Sequence, residues 1–336
     1  MLRSILFILV LVLLSCKQEL IGHRISGAIF GTTYNILYFS SSKKSELKTE
    51  VDRLLFDLDH TYSTYKKNSE LSKLNRAKEL NVSPKLWNLL KEAKEINRLS
   101  NGAFDISVGP LVNLWGFGPK RFEKPPRKEL LDETLSLVGP SVFDLSGMTL
   151  VNKIHPKVYL DLSAMAKGDA VDEVAKLLAQ KGIENFLVEI GGEIRARGNK
   201  PTGEFIIGIE TPDKLSGIGR SKIFKKLPLR NMSMATSGNY RNFKSFEGQE
   251  FAHTIDPRTG RPAMHTMASA SVFHPSCALA DAWATAFMVH GVDASLRLAN
   301  NLSLSAFFLV KEKGKGNFKA VMSDQFKKDF AAYLEE

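Results

Sequence analysis

Val158-Tyr159-Leu160-Asp161-Leu162-Ser163-Ala164-Met165-Ala166-Lys167-Gly168 runs from a short apolar stretch into a helical one. Residues 158–162 read as a strand, 163–181 as a helix that Gly182 closes, and 183–190 as a second strand ending in Gly191-Gly192. Taken alone this is a strand–helix–strand unit, but the flanking sequence does not repeat it. On the N-terminal side, 25–40 is strand-rich with Gly31 as a break, and 46–60 carries Leu47, Val51, Leu54, Leu55 and Leu58 at helical spacing. Ser83-Pro84 has the form of an N-cap followed by proline in the first helical position. The helix it opens runs through Leu86, Leu89, Leu90, Ala93 and Ile96 and stops at Asn101-Gly102. Residues 119–127 read as a proline- and charge-rich loop. On the C-terminal side come a strand over 204–210, a helix over 276–290 and a short helix over 293–300. An apolar strand over 304–310 and a closing helix over 324–335 complete the chain. No βαβ rhythm and no internal repeat is visible, so the expected class is α+β, with mixed sheets and helices packed on them.

The first residues stand apart from this pattern. Met1-Leu2-Arg3 carries one positive charge, and residues 5–14 are an uninterrupted apolar run followed by Ser15-Cys16. The run is too short for a bilayer, which needs about 20 apolar residues, and has the form of a secretory signal. Leu13-Leu14-Ser15-Cys16 resembles the bacterial lipobox, in which the cysteine is lipidated and becomes the new N-terminus. We therefore expect a signal peptide over 1–15, a lipidated tether over 16–24 and a single domain over 25–336. The expected place is an exported lipoprotein, anchored to a membrane on its periplasmic or extracytoplasmic face. The other cysteine is Cys277, so no intramolecular disulfide survives processing, and stability rests on the core.

The chain has 336 residues, 43% hydrophobic and 24% charged, with a net charge of +10. The length suffices for one large core. Lysines and arginines are scattered, with short clusters such as Lys43-Lys44 and Lys225-Lys226. No arginine–aromatic interleaving points to nucleic acid. The basic balance reads as a soluble surface resting near anionic lipid.

Four clusters carry chemistry. Gly102-Ala103-Phe104-Asp105-Ile106-Ser107-Val108-Gly109-Pro110 follows a helix and places small residues beside an aromatic and an acid. It suits close approach to a flat ligand, and equally a turn with Phe104 in the core. The opening stretch lies at a strand-to-helix junction, where free N–H groups favour a phosphate. Lys167 there opposes the helix dipole, so it marks either an anionic ligand or a solvated surface. Ala235-Thr236-Ser237-Gly238-Asn239-Tyr240-Arg241 is followed by His253-Thr254-Ile255-Asp256-Pro257-Arg258-Thr259-Gly260, with strong turn chemistry. His253 and Ile255 share one face at strand spacing, and a lone histidine is as readily structural as catalytic. In Ser276-Cys277-Ala278-Leu279-Ala280-Asp281-Ala282-Trp283-Ala284-Thr285, Asp281 and Thr285 are neighbours on one face of an apolar helix. A buried carboxylate needs a partner or a metal, and an all-oxygen pair is what a hard cation such as Mg²⁺ prefers.

Taken together, these clusters resemble the ApbE family, the FAD:protein FMN transferases. The similarity extends to Gly31-Thr32-Thr33-Tyr34, to Ser69-Glu70-Leu71-Ser72 with Leu74-Asn75, and to Val188-Glu189-Ile190-Gly191-Gly192-Glu193. It covers nearly the whole chain after Cys16. The resemblance implies a T-fold-like architecture with FAD in a cleft between subdomains. It implies FAD contacts at Tyr65, Ala103, Phe104, Asp105, Lys167 and Ile255, and Mg²⁺ ligands at Ala164 through its carbonyl, Asp281 and Thr285. The implied reaction moves FMN from FAD to a threonine of a target protein and releases AMP. The acceptor would be a membrane subunit of a redox complex. His253 is the candidate base, with Asp281 as a second candidate beside its metal role. Three positions depart from the family pattern: Phe30 for a usual Met, Asp169 for a common Tyr, and Asn239 for a frequent Asp. Two other functions remain open at this stage, an FAD pyrophosphatase that uses water in place of threonine and a non-catalytic flavin-binding lipoprotein.

Overall fold

The computed structural model describes residues 19–117, 125–212, 222–239, 243–246, 249–312 and 317–334. Cys16 and the expected signal peptide lie outside them, as do Tyr240, Arg241 and most of the expected loop over 119–127.

Eight strands form the main sheet: β1 (Ile21–Ile29), β2 (Thr32–Ser40), β3 (Asn185–Ile190), β4 (Glu193–Arg197), β5 (Met232–Gly238), β6 (Met267–His274), β7 (Ser305–Lys311) and β8 (Phe318–Met322). They lie side by side in chain order, each antiparallel to the next. The expected α+β class is therefore the observed one, and the mixing is of sheets with helices, since every ladder between the described strands is antiparallel. The β1–β2 turn is Phe30-Gly31, with φ of 52° and 73°. Two successive positive φ values match the right-handed twist of the flanking strands.

The five longest helices are α1 (Leu47–Tyr62), α2 (Pro84–Leu99), α3 (Ala166–Gln180), α4 (Cys277–His290) and α5 (Val292–Asn301). The first three lie in the long excursion between β2 and β3; the last two connect β6 to β7. Leu86 N–H donates to Ser83 Oγ at 3.2 Å, so the expected N-cap is formed, and Leu279 N–H donates to Ser276 Oγ at 3.3 Å, a second cap that was not expected. Alternate residues of the sheet serve two cores. Phe186, Val188, Ile190, Ala235, Ala270, Val272 and Phe308 face the helical layer. Met234, Phe273, Phe307 and Leu309 face the hairpin Phe205–Glu210/Ile223–Leu229 and the C-terminal helix Asp324–Asp329. A third, small cluster of Leu111, Trp115, Leu131 and Ile255 ties the short helices Gly109–Leu114 and Lys128–Leu135 to the strand Ile255–Asp256.

Four expectations need correction. Residues 21–24 belong to β1 rather than to a tether. Residues 158–162 are extended but pair with no strand: Leu160 is held at both backbone atoms by the Asn75 amide, at 2.8 Å each way, and Val158 O accepts from Lys153 Nζ at 2.9 Å. Side chains supply there what a ladder would otherwise supply. The helix expected from 163 starts at Ala166, after a turn in which Met165 and Ala166 N–H both donate to Leu162 O. The closing helix ends at Asp329 and continues as a 3₁₀ turn, Ala331–Tyr333.

Candidate active site

At one end of the sheet, where β3 turns into β4 and β5 stops at Gly238, lies a cavity of about 360 Å³. Its walls bring together nine of the expected residues: Ala103, Phe104 and Asp105; Ala164 and Lys167; His253 and Ile255; Asp281 and Thr285. Segments separated by up to 182 positions in sequence thus converge on one space. Tyr65 is the exception. It is 86% exposed and outside the lining.

Helices α3 and α4 fix the floor. Gly168 lies so close to α4 that a Cβ there would come within 2.3 Å of Cys277 O, and only glycine permits that approach. One turn further along α3, the Asp172 carboxylate accepts from Ser276 Oγ at 2.9 Å, Cys277 N–H at 2.7 Å and Ala278 N–H at 3.2 Å. Its other oxygen pairs with Arg195 of β4. An acid from α3 therefore caps the N-terminus of α4, satisfying free N–H groups and the helix dipole together. This cross-brace sets where Asp281, one turn into α4, meets Lys167 at the start of α3.

Asp281 and Glu193 are 4% and 3% exposed, and one ammonium serves both. Lys167 Nζ lies 2.7 Å from Glu193 Oε1 and 3.6 Å from Asp281 Oδ2. Gly168 N–H adds a long bond of 3.4 Å to Asp281 Oδ2. Although burial pulls the Lys167 ammonium down, the two carboxylates hold it above its ordinary value. Burial raises Asp281 despite Lys167, and burial together with Asp281 pushes Glu193 up to about 8. Lys167, placed against the dipole of α3, is accounted for by these carboxylates and is no independent sign of an anionic ligand. Glu193 Oε2 is buried with no hydrogen-bond partner. Thr285 Oγ1 lies 3.2 Å from Ser237 Oγ on β5.

The remaining walls are positioned locally. Asp105 Oδ1 accepts from Ser107 N–H at 2.7 Å and from Ser107 Oγ, and Oδ2 from Asn97 Nδ2 at 2.9 Å. Both oxygens thus brace the 103–108 turn, while burial raises the carboxyl above its ordinary range. His253 lies in a bend between the strands Gln249–Ala252 and Ile255–Asp256, edge-on to Phe117 at 6.3 Å. It reaches the cavity from this bend and Ile255 from the strand that follows, so the two do not share one strand face. The Asp256–Gly260 turn forms as its residues predict: Arg258 N–H bonds Asp256 Oδ1 at 2.9 Å, and Trp115 Nε1 donates to Gly260 O at 2.7 Å. The departures are accommodated. Buried Asp169 takes Tyr62 OH at 2.7 Å and Lys85 Nζ at 2.9 Å, and Asn239 Oδ1 accepts from Thr254 Oγ1 at 2.5 Å. Sequence reading assigned no role to Asp161, Glu193, Ser237 or Thr254, all of which line the cavity.

An antiparallel sheet with a two-helix brace at one end, beside a cavity lined by the 103–105 turn and two buried carboxylates, defines an α+β protein with one composite site. The chain belongs to the ApbE family, whose model matches residues 30–308. It is 38% identical to the FAD:protein FMN transferase of Haemophilus influenzae over 94% of each chain. The flavin transferase ApbE from Vibrio cholerae superposes with a TM-score of 0.82 at 38% identity, covering 93% of this chain and 99% of that one. The apo flavinyl transferase ApbE of Pseudomonas stutzeri superposes with a TM-score of 0.84 at 33% identity, covering 93% and 98%.

Proposed function

We propose that the protein is an FAD:protein FMN transferase that uses Mg²⁺ and delivers FMN to a threonine of an acceptor protein. The observation that carries the reading is the convergence of Asp281, Thr285, Ala164, Lys167 and the 103–105 wall on one cavity in a chain of this family. The donor set fits a hard divalent cation. Two buried carboxylates share a single ammonium, one carboxylate oxygen lacks a partner, and a threonine hydroxyl faces the same space. Among the described residues no three His, Cys, Asp or Glu side chains gather into a cage. Mg²⁺ is commonly held by one or two carboxylates together with substrate phosphates. Asp281, Thr285 and the Ala164 carbonyl would hold the ion, and its contribution is to neutralise charge on the FAD diphosphate.

The chain's own residues do the rest. The small residues at 102–109 let the ligand lie close to the backbone, and Phe104 and Ile255 supply apolar wall. Tyr65, an exposed aromatic outside the lining, is free to cover a flat ring only by moving toward the cavity. The acceptor hydroxyl oxygen bonds to the FMN-side phosphorus as the bond from that phosphorus to the bridging oxygen breaks. The bridging oxygen leaves on AMP, and the hydroxyl proton passes to a base within hydrogen-bond reach. His253 on the cavity wall takes that proton, with Lys167 fixing Asp281 beside the phosphates. We further propose that Cys16 is lipidated, so that the enzyme works on the outer side of a membrane and the acceptor is a membrane redox subunit. The Leu13-Leu14-Ser15-Cys16 sequence supports this. No helix of the described residues is long and apolar enough to cross a bilayer. Incubation with FAD, Mg²⁺ and an acceptor, read by AMP release and by covalent flavin on the acceptor, tests the reading. AMP without a flavin adduct would show hydrolysis in its place.

A further inference from the structure

The main sheet has two ends with different surroundings. Ile29, Thr32, Ile190, Glu193 and Gly238 mark one, and the cavity lies there. Ile21, Ser40, Asn185, Arg197 and Met232 mark the other. The nine residues of β1 separate the two ends, about 30 Å at 3.3 Å per residue.

The far end is where the chain enters the fold. Ile21 pairs with Ser40, and both Leu20 and Ile21 are exposed, at 38% and 55%. The residues that follow β2 turn back over this end, since Lys44 N–H donates to Tyr38 OH at 3.2 Å. Lys181, at the end of α3, reaches the same place by pairing with Glu50 at 2.6 Å. Lys43, Lys44 and Lys181 line one open groove of about 260 Å³ there, together with Glu46 and Glu50. Ile21 is five residues after Cys16, so the connection spans at most about 17 Å.

We propose that this end of the sheet is the membrane-facing surface of the protein, seated on anionic phospholipid headgroups. The inference rests on the lipidation of Cys16 proposed above. A lipid on Cys16 holds Ile21 near the bilayer, with a tether shorter than the sheet is long. The exposed Leu20 and Ile21 then meet the interface, and Lys43 and Lys44 meet the phosphates within the reach of surface electrostatics, about a Debye length. The flavin cavity is held at the opposite end, about 30 Å further out. The acceptor threonine must therefore stand off from the bilayer on an extracytoplasmic segment, rather than at the headgroup level.

The test uses the full-length, acylated protein in phosphatidylcholine vesicles with and without phosphatidylglycerol. Cys277 is buried and acylation consumes Cys16, so a cysteine introduced at an exposed site labels selectively. Ser42→Cys marks the proposed membrane end, and Thr259→Cys marks the cavity end. Energy transfer to a headgroup-labelled lipid should be several-fold stronger from position 42 in phosphatidylglycerol vesicles. The difference should shrink in phosphatidylcholine alone and in K43E/K44E, whose FMN transfer to a soluble acceptor stays unchanged. Equal transfer from both positions, or a difference that K43E/K44E leaves intact, overturns the proposal while the anchor stands. Protein that fails to float with vesicles and carries no acyl mass on Cys16 overturns the anchor and the surface together.

Discussion

One ammonium between two buried carboxylates is an arrangement that stability alone does not favour. Burying charges costs several kcal/mol per ion unless pairing is complete, and here Lys167 answers two acids. Asp281→Ala should therefore leave the fold intact, with a thermal midpoint equal to or above that of the metal-free wild type, because Lys167 keeps Glu193. Turnover of FAD should be lost. Parallel thermal melts and AMP assays check both halves. Lys153 presents the opposite case: a buried ammonium bonded to three carbonyls, of Asn75, Pro156 and Val158, at 2.8, 3.2 and 2.9 Å. Lys153→Met should cost about 2–4 kcal/mol, since the carbonyls lose their donors, measurable by denaturant unfolding. Burial lowers the Lys153 ammonium from 10.5 to about 8. A depressed pKa means that the unfolded chain holds the proton longer, so the stability linked to this group rises between those values and is lost as pH falls through the lower one. The wild type should gain on Lys153→Met over that range; a constant difference would contradict the assignment. Asp281 and Thr285 were legible in the sequence because helical spacing alone makes them neighbours. Glu193 was not, because only the β3–β4 turn carries it to Lys167, across 26 positions of chain.

Elements are set against one another by the α3–α4 brace. Asp172→Ala removes a cap that serves two backbone N–H groups and a serine, together with the partner of Arg195, and should cost about 2–4 kcal/mol. Its functional signature should be a higher Mg²⁺ requirement, because α4 carries Asp281 and Thr285; Asp172→Asn should recover part of the cap. Gly168→Ala forces a methyl group into Cys277 O, and neither partner is a flexible side-chain end. It should destabilise by about 1–3 kcal/mol or more and lower FAD affinity, measured by flavin fluorescence titration. The helices were readable from caps and periodicity, as Ser83-Pro84 and the apolar spacing after Ser276 show. Short elements were not. The three-stranded sheet Glu79–Asn81, Phe143–Ser146 and Leu150–Lys153 has three or four residues per strand, too few for a period-two pattern to register. Residues 158–162 misled for the converse reason: an apolar, extended stretch looks the same whether its backbone is bonded by a strand or by Asn75 and Lys153.

At the scale of the whole molecule, the order of β1 to β8 along the sheet follows the chain, and the long excursions between strands build the helical layer and the cavity walls. Sequence alone conveyed the α+β class, but not this order, since strand pairing is decided by contacts far apart in the chain. The N-terminus makes its own prediction. Cys16→Ser should release the protein from membranes or leave an uncleaved precursor; a variant that fractionates with membranes at the processed mass of the wild type would contradict lipidation. The central claim is that the cavity at the β3–β4 end transfers FMN to protein through the Asp281 cluster. Its most direct test is to incubate purified wild type and Asp281→Ala with FAD, Mg²⁺ and an acceptor protein, following AMP and the covalently flavinylated threonine together. The wild type should yield AMP and adduct in equal amounts, and the folded variant neither. A folded Asp281→Ala protein that transfers flavin at the wild-type rate, or a wild type that releases AMP and leaves the acceptor unmodified, would contradict the account.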